Sequence, residues 1–179
     1  MAIDAARVQI RPWRLDDADA LHRLVQQSYA TLSPWLAWCQ PNYGVGDAQV
    51  WIEYSLTSWA NRSAFPFAVI EGGTQVLLGG AGLNRFDSEQ GSANLGYWVG
   101  APYVGSGIAT AAAMKAARFG VEQLHLRRID IRVLTDNHAS LAVVRKLGAA
   151  SAGILRGGLI HHGLPREACL YTLTADNLT

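Results

Sequence analysis

Apolar positions change period along the chain, and each change predicts an element. Val8 and Ile10 alternate against Arg7, Gln9 and Arg11, which predicts a first strand over Ala6 to Arg14. Ala20, Leu21, Leu24, Val25 and Tyr29 then follow helical spacing. Asp16, Asp17 and Asp19 crowd that helix's start, where carboxylates cap amides and oppose the dipole. A second helix is expected near Asp47 to Asn61, with Val50, Trp51, Tyr54 and Leu56 as inward positions. Between the two helices, Leu32 to Gly44 is Pro-punctuated and holds Trp35, Trp38 and Tyr43. The aromatics there either pack over an edge of the core or form a wall for recognition, since loops carry recognition while a sheet holds them. Phe65 to Glu71 reads as a strand, Gly72-Gly73 as a hairpin turn and Gln75 to Arg85 as its partner. Gly79, Gly80 and Gly82 inside that partner mark a close backbone approach or a bulge. A polar turn over Asp87 to Gly91 leads into a strand at Ser92 to Val99.

The run from Leu95 to Thr110 organises the rest. Pro102 cannot donate to a sheet ladder and biases Ala101 toward extended geometry, so the strand stops there. From Gly107 onward strong helix formers dominate, and Ile108, Ala112, Ala116 and Phe119 give a buried face. A turn with glycines at 105 and 107 thus delivers unpaired amides to a helix N-terminus, a good site for an anion such as phosphate. The glycines also have a bland reading, since a turn can need positive φ or tight packing. Gly107-Ile108-Ala109 lacks the lysine and hydroxyl of a Walker-type loop, and Thr110 stands where a dinucleotide fingerprint wants its third glycine. Downstream, Arg128 to Leu134 alternates as a strand. Asn137 N-caps a short helix with Leu141, Val144 and Leu147 inward, and Gly148 ends it. Ala150 to Leu155 and Arg166 to Thr174 form a final pair, with His161 to Pro165 in the connection. Antiparallel strands first and helical crossovers afterwards predict a mixed α/β, or α+β, architecture.

A chain of 179 residues suits one domain over 1–179 and buries about 70% of its unfolded surface. Half of its residues are hydrophobic and 16% are charged, so it folds compactly. Arginine supplies thirteen of the fifteen Lys and Arg residues, but they are scattered, and the net charge is +1. That balance predicts no nucleic-acid partner and no anionic membrane surface. Cys39 and Cys169 are too few for a disulfide framework, and Met1 to Arg7 has no apolar core of a signal peptide after it. No run of eighteen apolar residues occurs, so the expectation is a cytoplasmic protein without a membrane span.

Gly96-Tyr97-Trp98-Val99 followed by Val104-Gly105-Ser106-Gly107-Ile108-Ala109-Thr110 resembles the acyl-CoA pyrophosphate loop of the GNAT acetyltransferases. Asn137 to Ala149 is similar to the second signature of the RimJ/RimL-like ribosomal-protein N-acetyltransferases. The resemblance spans nearly the whole chain. It implies the GNAT acyl-CoA N-acyltransferase fold, a mostly antiparallel twisted sheet of about seven strands flanked by helices and splayed between the fourth and fifth strands. It also implies acetyl-CoA as co-substrate, no metal, and contacts from Tyr97, Trp98, Val99, Val104, Gly105, Ser106, Gly107, Ile108, Ala109 and Asn137. In the family, amides of the splayed strand serve the pantetheine arm and the thioester oxygen.

Acetyl transfer to an amine needs a held donor, an oxyanion stabiliser, a neutral amine and a proton for the leaving thiolate. Where the family usually has Gln or Arg heading the loop, this chain has Val104, so a side-chain contact is lost while the amide survives. Ser140 matches the serine of the RimL-like branch and is the candidate proton donor, since the tyrosine of many relatives is replaced by Val144. A serine near a helix start also bonds backbone groups, and that reading stays open. Asn94 stands where relatives often carry a basic glutamate; Glu53, Glu89, His161, His162 and Glu167 are the other options for a base. At pH 7 an α-amine is roughly a tenth neutral, whereas a lysine is neutral at about one part in two thousand. The gap is worth roughly 3.5 kcal/mol, so a chain with no evident base suits the α-amine of a protein or peptide. Acetylation of a small amine such as a polyamine or aminoglycoside, or plain acyl-CoA binding without catalysis, are the alternatives. A homodimer is compatible with all three. Trp35, Trp38, Tyr43 and His161 are the expected acceptor contacts, with segment 35–43 and turn 161–165 flanking one cleft.

Overall fold

A computed structural model describes residues 3–178. Its strands are β1 (Val8–Pro12), β2 (Phe65–Glu71), β3 (Leu77–Asp87), β4 (Ser92–Val99), β5 (Arg128–Leu134), β6 (Ala150–His161) and β7 (Leu164–Leu173). Its helices are α1 (Ala18–Gln27), α2 (Tyr29–Leu32), α3 (Val45–Asn61), α4 (Ile108–Leu124) and α5 (His138–Lys146). The strands make one seven-stranded sheet in the order β1-β2-β3-β4-β5-β7-β6. Every neighbouring pair runs antiparallel except β4 and β5.

Side-chain alternation divides the interior into two cores. Phe65, Phe67, Val69, Leu83, Leu95 and Ile129 pack with α4 and α5, while Ala68, Ile70 and Leu77 pack with α1 and α3. Both faces of β2 are therefore covered, which is why its run reads as continuously apolar. Ala112, Ala113, Ala116 and Ala117 of α4 are buried against the sheet, and a Cβ on Gly120 would lie 2.9 Å from Leu83 Cδ1. Small residues let this helix sit close to β3 and β4.

Several expectations need correction. The first strand is shorter, because residues 5–7 form a 3-10 turn capped by Asp4. Gly72-Gly73 is not a two-residue turn. The chain turns over residues 72–76, with Glu71 accepting from Thr74 N–H at 2.6 Å and pairing with Arg7 at 2.7 Å. β6 and β7 extend to a tight turn at His162-Gly163, where φ is +47° and +77°, as a twisted two-residue hairpin turn requires. Bulges between Ser151 and Gly153 and between Leu155 and Leu159 had hidden β6's length by breaking its alternation. Tyr29 begins a new helix after a break at Ser28 and is 38% exposed. Asp17 does more than cap. It takes two hydrogen bonds of 2.7 Å from Arg11 and one of 2.8 Å from the Arg14 N–H.

The largest correction concerns α3. Ala48, Ile52, Ser55 and Ser58 face inward, whereas Val50, Trp51 and Tyr54 are exposed. Ile52 apart, the helix packs through small side chains and leaves Trp51 and Tyr54 facing a cavity.

Candidate active site

The site begins where the sheet comes apart. β4 pairs with β3 from Asn84↔Asn94 to Gly79↔Val99, but it meets β5 only through Ser92↔Arg128, Ala93↔Ile129 and Asn94↔Asp130. β5 goes on to pair with β7 through Leu134↔Ala168. From Leu95 onward, the edge of β4 that faces β5 has no strand partner. The glycines of β3 hold β4 on its other edge. A Cβ at Gly79 would overlap the Trp98 carbonyl, and one at Gly80 would lie 2.6 Å from Trp98 Nε1. This is the splay expected between the fourth and fifth strands, and it leaves backbone polar groups available to a ligand.

Beyond β4, Ala101 N–H donates to buried Ser28 Oγ at 2.8 Å, which ties the loop to the junction of α1 and α2. Val104 is exposed, and Gly105 and Gly107 have φ of +78° and +81°. A Cβ on Gly105 would meet nothing within 4 Å. The opening amides of α4, including those of Ile108 and Ala109, have no acceptor within the helix. Positive-φ glycines, open space and orphan amides at a helix end fit a pyrophosphate. Ser106 Oγ donates to the Tyr103 carbonyl, so its proton is already engaged and the anion is left to the backbone.

Asn137 Oδ1 accepts from Ser140 N–H at 3.1 Å and caps α5. Ser140 Oγ is not drawn into that cap; it lies 2.9 Å from the hydroxyl of Tyr97, which crosses from β4. Burial pushes the Tyr97 phenol up to about 12, against the opposing effect of its bond to Ser140. It therefore stays protonated at neutral pH. Tyr97 was expected only as a strand contact to the cofactor, because nothing in the sequence shows a hydroxyl crossing the splay. Val144, at the position of the missing tyrosine, is fully buried. Asn94 accepts from Arg132 Nη1 at 2.9 Å and donates to Asn84 at 3.1 Å, so it is anchored as an amide between them.

On the face of the sheet toward α1 and α3, a cavity of about 860 Å³ opens beside β4. Trp38 and Tyr43 of the aromatic segment line it, with Tyr97 and Trp98 of β4, which were expected at the cofactor, and Trp51 and Tyr54 from α3. Trp38 stands edge-on to Trp98 at 5.7 Å and tilted to Tyr43 at 5.9 Å between ring centres. Burial, then the nearby Asp47 charge, pushes the Tyr43 phenol up to about 12. Trp35 and His161 are not among the lining residues. His161 is buried, and burial followed by the neighbouring His162 holds its imidazole below the ordinary range. His162 Nε2 lies 3.3 Å from Ser33 O, so the hairpin tip meets the aromatic segment at its base rather than across the cavity. None of Glu53, Glu89, His161, His162 or Glu167 lines the cavity.

The profile of the acetyltransferase (GNAT) domain matches residues 7–150. The N-acetyltransferase p20 of Bacillus licheniformis, itself uncharacterised, is 30% identical over 154 residues, covering 84% of this chain and 83% of its own. YdaF of Bacillus subtilis (strain 168), which carries the provisional name of a ribosomal N-acetyltransferase, is 29% identical over 93% of this chain and 90% of its own. Mycobacterium smegmatis RimJ, solved in complex with CoA-disulfide, superposes with a TM-score of 0.85 at 26% identity, over 99% of this chain and 86% of that one. The domain match covers well over half of the chain, and the chain belongs to the GNAT family of acetyltransferases.

Proposed function

We propose that this cytoplasmic enzyme transfers acetyl from acetyl-CoA directly to the α-amine of a protein or peptide. The observation that carries the reading is the meeting of Tyr97 and Ser140 at the unpaired edge of β4, 2.9 Å apart. Acetyl-CoA supplies the activated acyl group. Val104, Gly105, Ser106, Gly107, Ile108 and Ala109 hold its pyrophosphate through main-chain amides, and the open edge of Tyr97, Trp98 and Val99 offers amides to the arm and the acyl oxygen. Asn137 fixes the start of α5 and so the place of Ser140. Ser140 Oγ is the proton donor to the departing sulfur, and Tyr97 steadies that hydroxyl as a donor that keeps its own proton.

Among the described residues, the sole carboxylate lining the cavity is Asp47, which accepts from Gly44 N–H at 2.7 Å as a helix cap. A polycationic acceptor such as a polyamine would therefore lack counter-charges there. An α-amine, already partly neutral at pH 7, needs no strong base. Names given to relatives, YdaF among them, point toward ribosomal proteins as acceptors. The test is CoA thiol release driven by peptides, with mass spectrometry locating the acetyl group. Peptides with free N-termini are turned over, and the same peptides blocked at the N-terminus but bearing lysine are not. The reverse pattern refutes the reading.

A further inference from the structure

We infer that the cavity beside β4 is a subsite for a bulky aromatic group carried next to the reacting amine. The inference rests on the α-amine reading above and narrows it. Tyr97 belongs to the cavity's lining strand, while its side chain, on the Leu95 and Val99 face, meets Ser140 Oγ at 2.9 Å. The space and the reacting position therefore lie on either side of β4 where its edge is unpaired. The cavity's floor is bare backbone where Gly82 pairs with Gly96 across the strands, and the Trp98 indole lies over Gly80 beside them. A Cβ on Gly96 would meet nothing within 4 Å, so the room above it is open. Trp38, Trp51 and Trp98 supply aromatic walls around that flat floor.

Size and charge then select the occupant. About 860 Å³ lies in the range of small-molecule pockets, and the methyl or hydroxymethyl of an N-terminal Ala or Ser would leave nearly all of it to water. Asp47 is the lone charged lining residue among the described residues, and its carboxylate is engaged by Gly44 N–H. A multiply charged chain would lose its hydration there without a partner. An aromatic ring loses little hydration, and it gains edge and face contacts with the indoles.

The experiment measures kcat/KM by CoA thiol release with phenylalaninamide, tryptophanamide, alaninamide, serinamide and spermidine, at saturating acetyl-CoA. The aromatic amides lead by about tenfold or more. Gly96→Leu fills the floor, since its side chain enters open space, and it lowers kcat/KM for phenylalaninamide about tenfold more than for alaninamide. Trp51→Ala, at a position 40% exposed and so easily tolerated by the fold, gives the same selective loss through the opposite change. Equal or better use of alaninamide or serinamide overturns the inference and leaves the α-amine reading standing. Turnover of spermidine alone, or of none of these amines, overturns both. A rise in the KM for acetyl-CoA in Gly96→Leu, with acceptor preference unchanged, assigns the cavity to the donor and also overturns the inference.

Discussion

Tyr97→Phe removes one oxygen atom and leaves the ring in place. The lost contact is the 2.9 Å hydrogen bond to Ser140 Oγ. In the resting enzyme a neutral hydrogen bond of this kind is worth about 0.5–1.5 kcal/mol. Ser140 gains negative character as it gives up its proton, and a hydrogen bond to a charged group is worth about 1.5–3 kcal/mol. That larger figure converts to a loss in kcat of roughly ten- to a hundredfold, because the interaction strengthens only in the transition state. Ser140→Ala removes the proton donor itself and costs about a hundredfold or more. The double variant is no slower than Ser140→Ala alone, since Tyr97 acts through Ser140. Steady-state thiol release gives kcat and the KM for acetyl-CoA, and the KM stays nearly unchanged in all three. Independent, multiplying losses would refute the coupling. An unchanged rate in Ser140→Ala would return that residue to a structural role, and a large loss of CoA affinity would make it a positioning residue.

Asp17→Asn breaks the paired hydrogen bonds from Arg11 and lowers folding stability by about 3 kcal/mol, since both side chains are largely buried. Burial raises the Asp17 pKa, but the bonds from Arg11 and the Arg14 N–H outweigh it and hold the carboxyl below 3.8. The contribution is therefore complete above pH 3.8 and fades as the pH falls through the lowered value. Denaturant titrations across that window show the gap between wild type and variant closing, and a constant gap counts against the assignment. Trp38→Ala raises the acceptor KM with little effect on that for acetyl-CoA. Its side chain is 42% exposed, so the melting temperature drops only by the loss of aromatic pairs worth about 0.5–1.5 kcal/mol each. A much lower melting point with normal kinetics would place it in the core instead.

The legible part of the fold was the part fixed locally. The glycine turn, the Ala-rich α4 and the Asn137 cap each follow from short-range chemistry, and each stands where expected. The strand glycines also kept their meaning: a side chain at Gly79 or Gly80 would collide with Trp98. What escaped depends on contacts distant in sequence. The Tyr97–Ser140 bond joins residues 43 apart, and no periodicity encodes it. The buried face of α3 was missed because hydrophobicity ranks Trp51 and Tyr54 above Ala48 and Ser55, while packing against α1 and the sheet favours small side chains. A cavity inverts the usual rule by keeping aromatic groups out of the core. The His161–Pro165 turn was expected at the cleft from its histidines and its likeness to the RimL-like branch, but His162 meets Ser33, a contact between residues 129 apart that no local pattern shows.

CoA binding by Gly107→Asp, measured by titration calorimetry beside wild type, tests the central claim that the loop after β4 holds the pyrophosphate. Aspartate tolerates positive φ better than most residues, and its Cβ would meet Ala5 Cβ at an ordinary 3.5 Å. Holding a side chain at φ +81° still costs about 1–2 kcal/mol, so a melting curve establishes that the variant is folded before its binding is measured. Two like charges about 4 Å apart at an effective dielectric near 20 repel by about 4 kcal/mol, which is roughly a thousandfold in affinity. The account predicts a folded protein that no longer binds CoA measurably. A folded Gly107→Asp variant that binds CoA with wild-type affinity would contradict it.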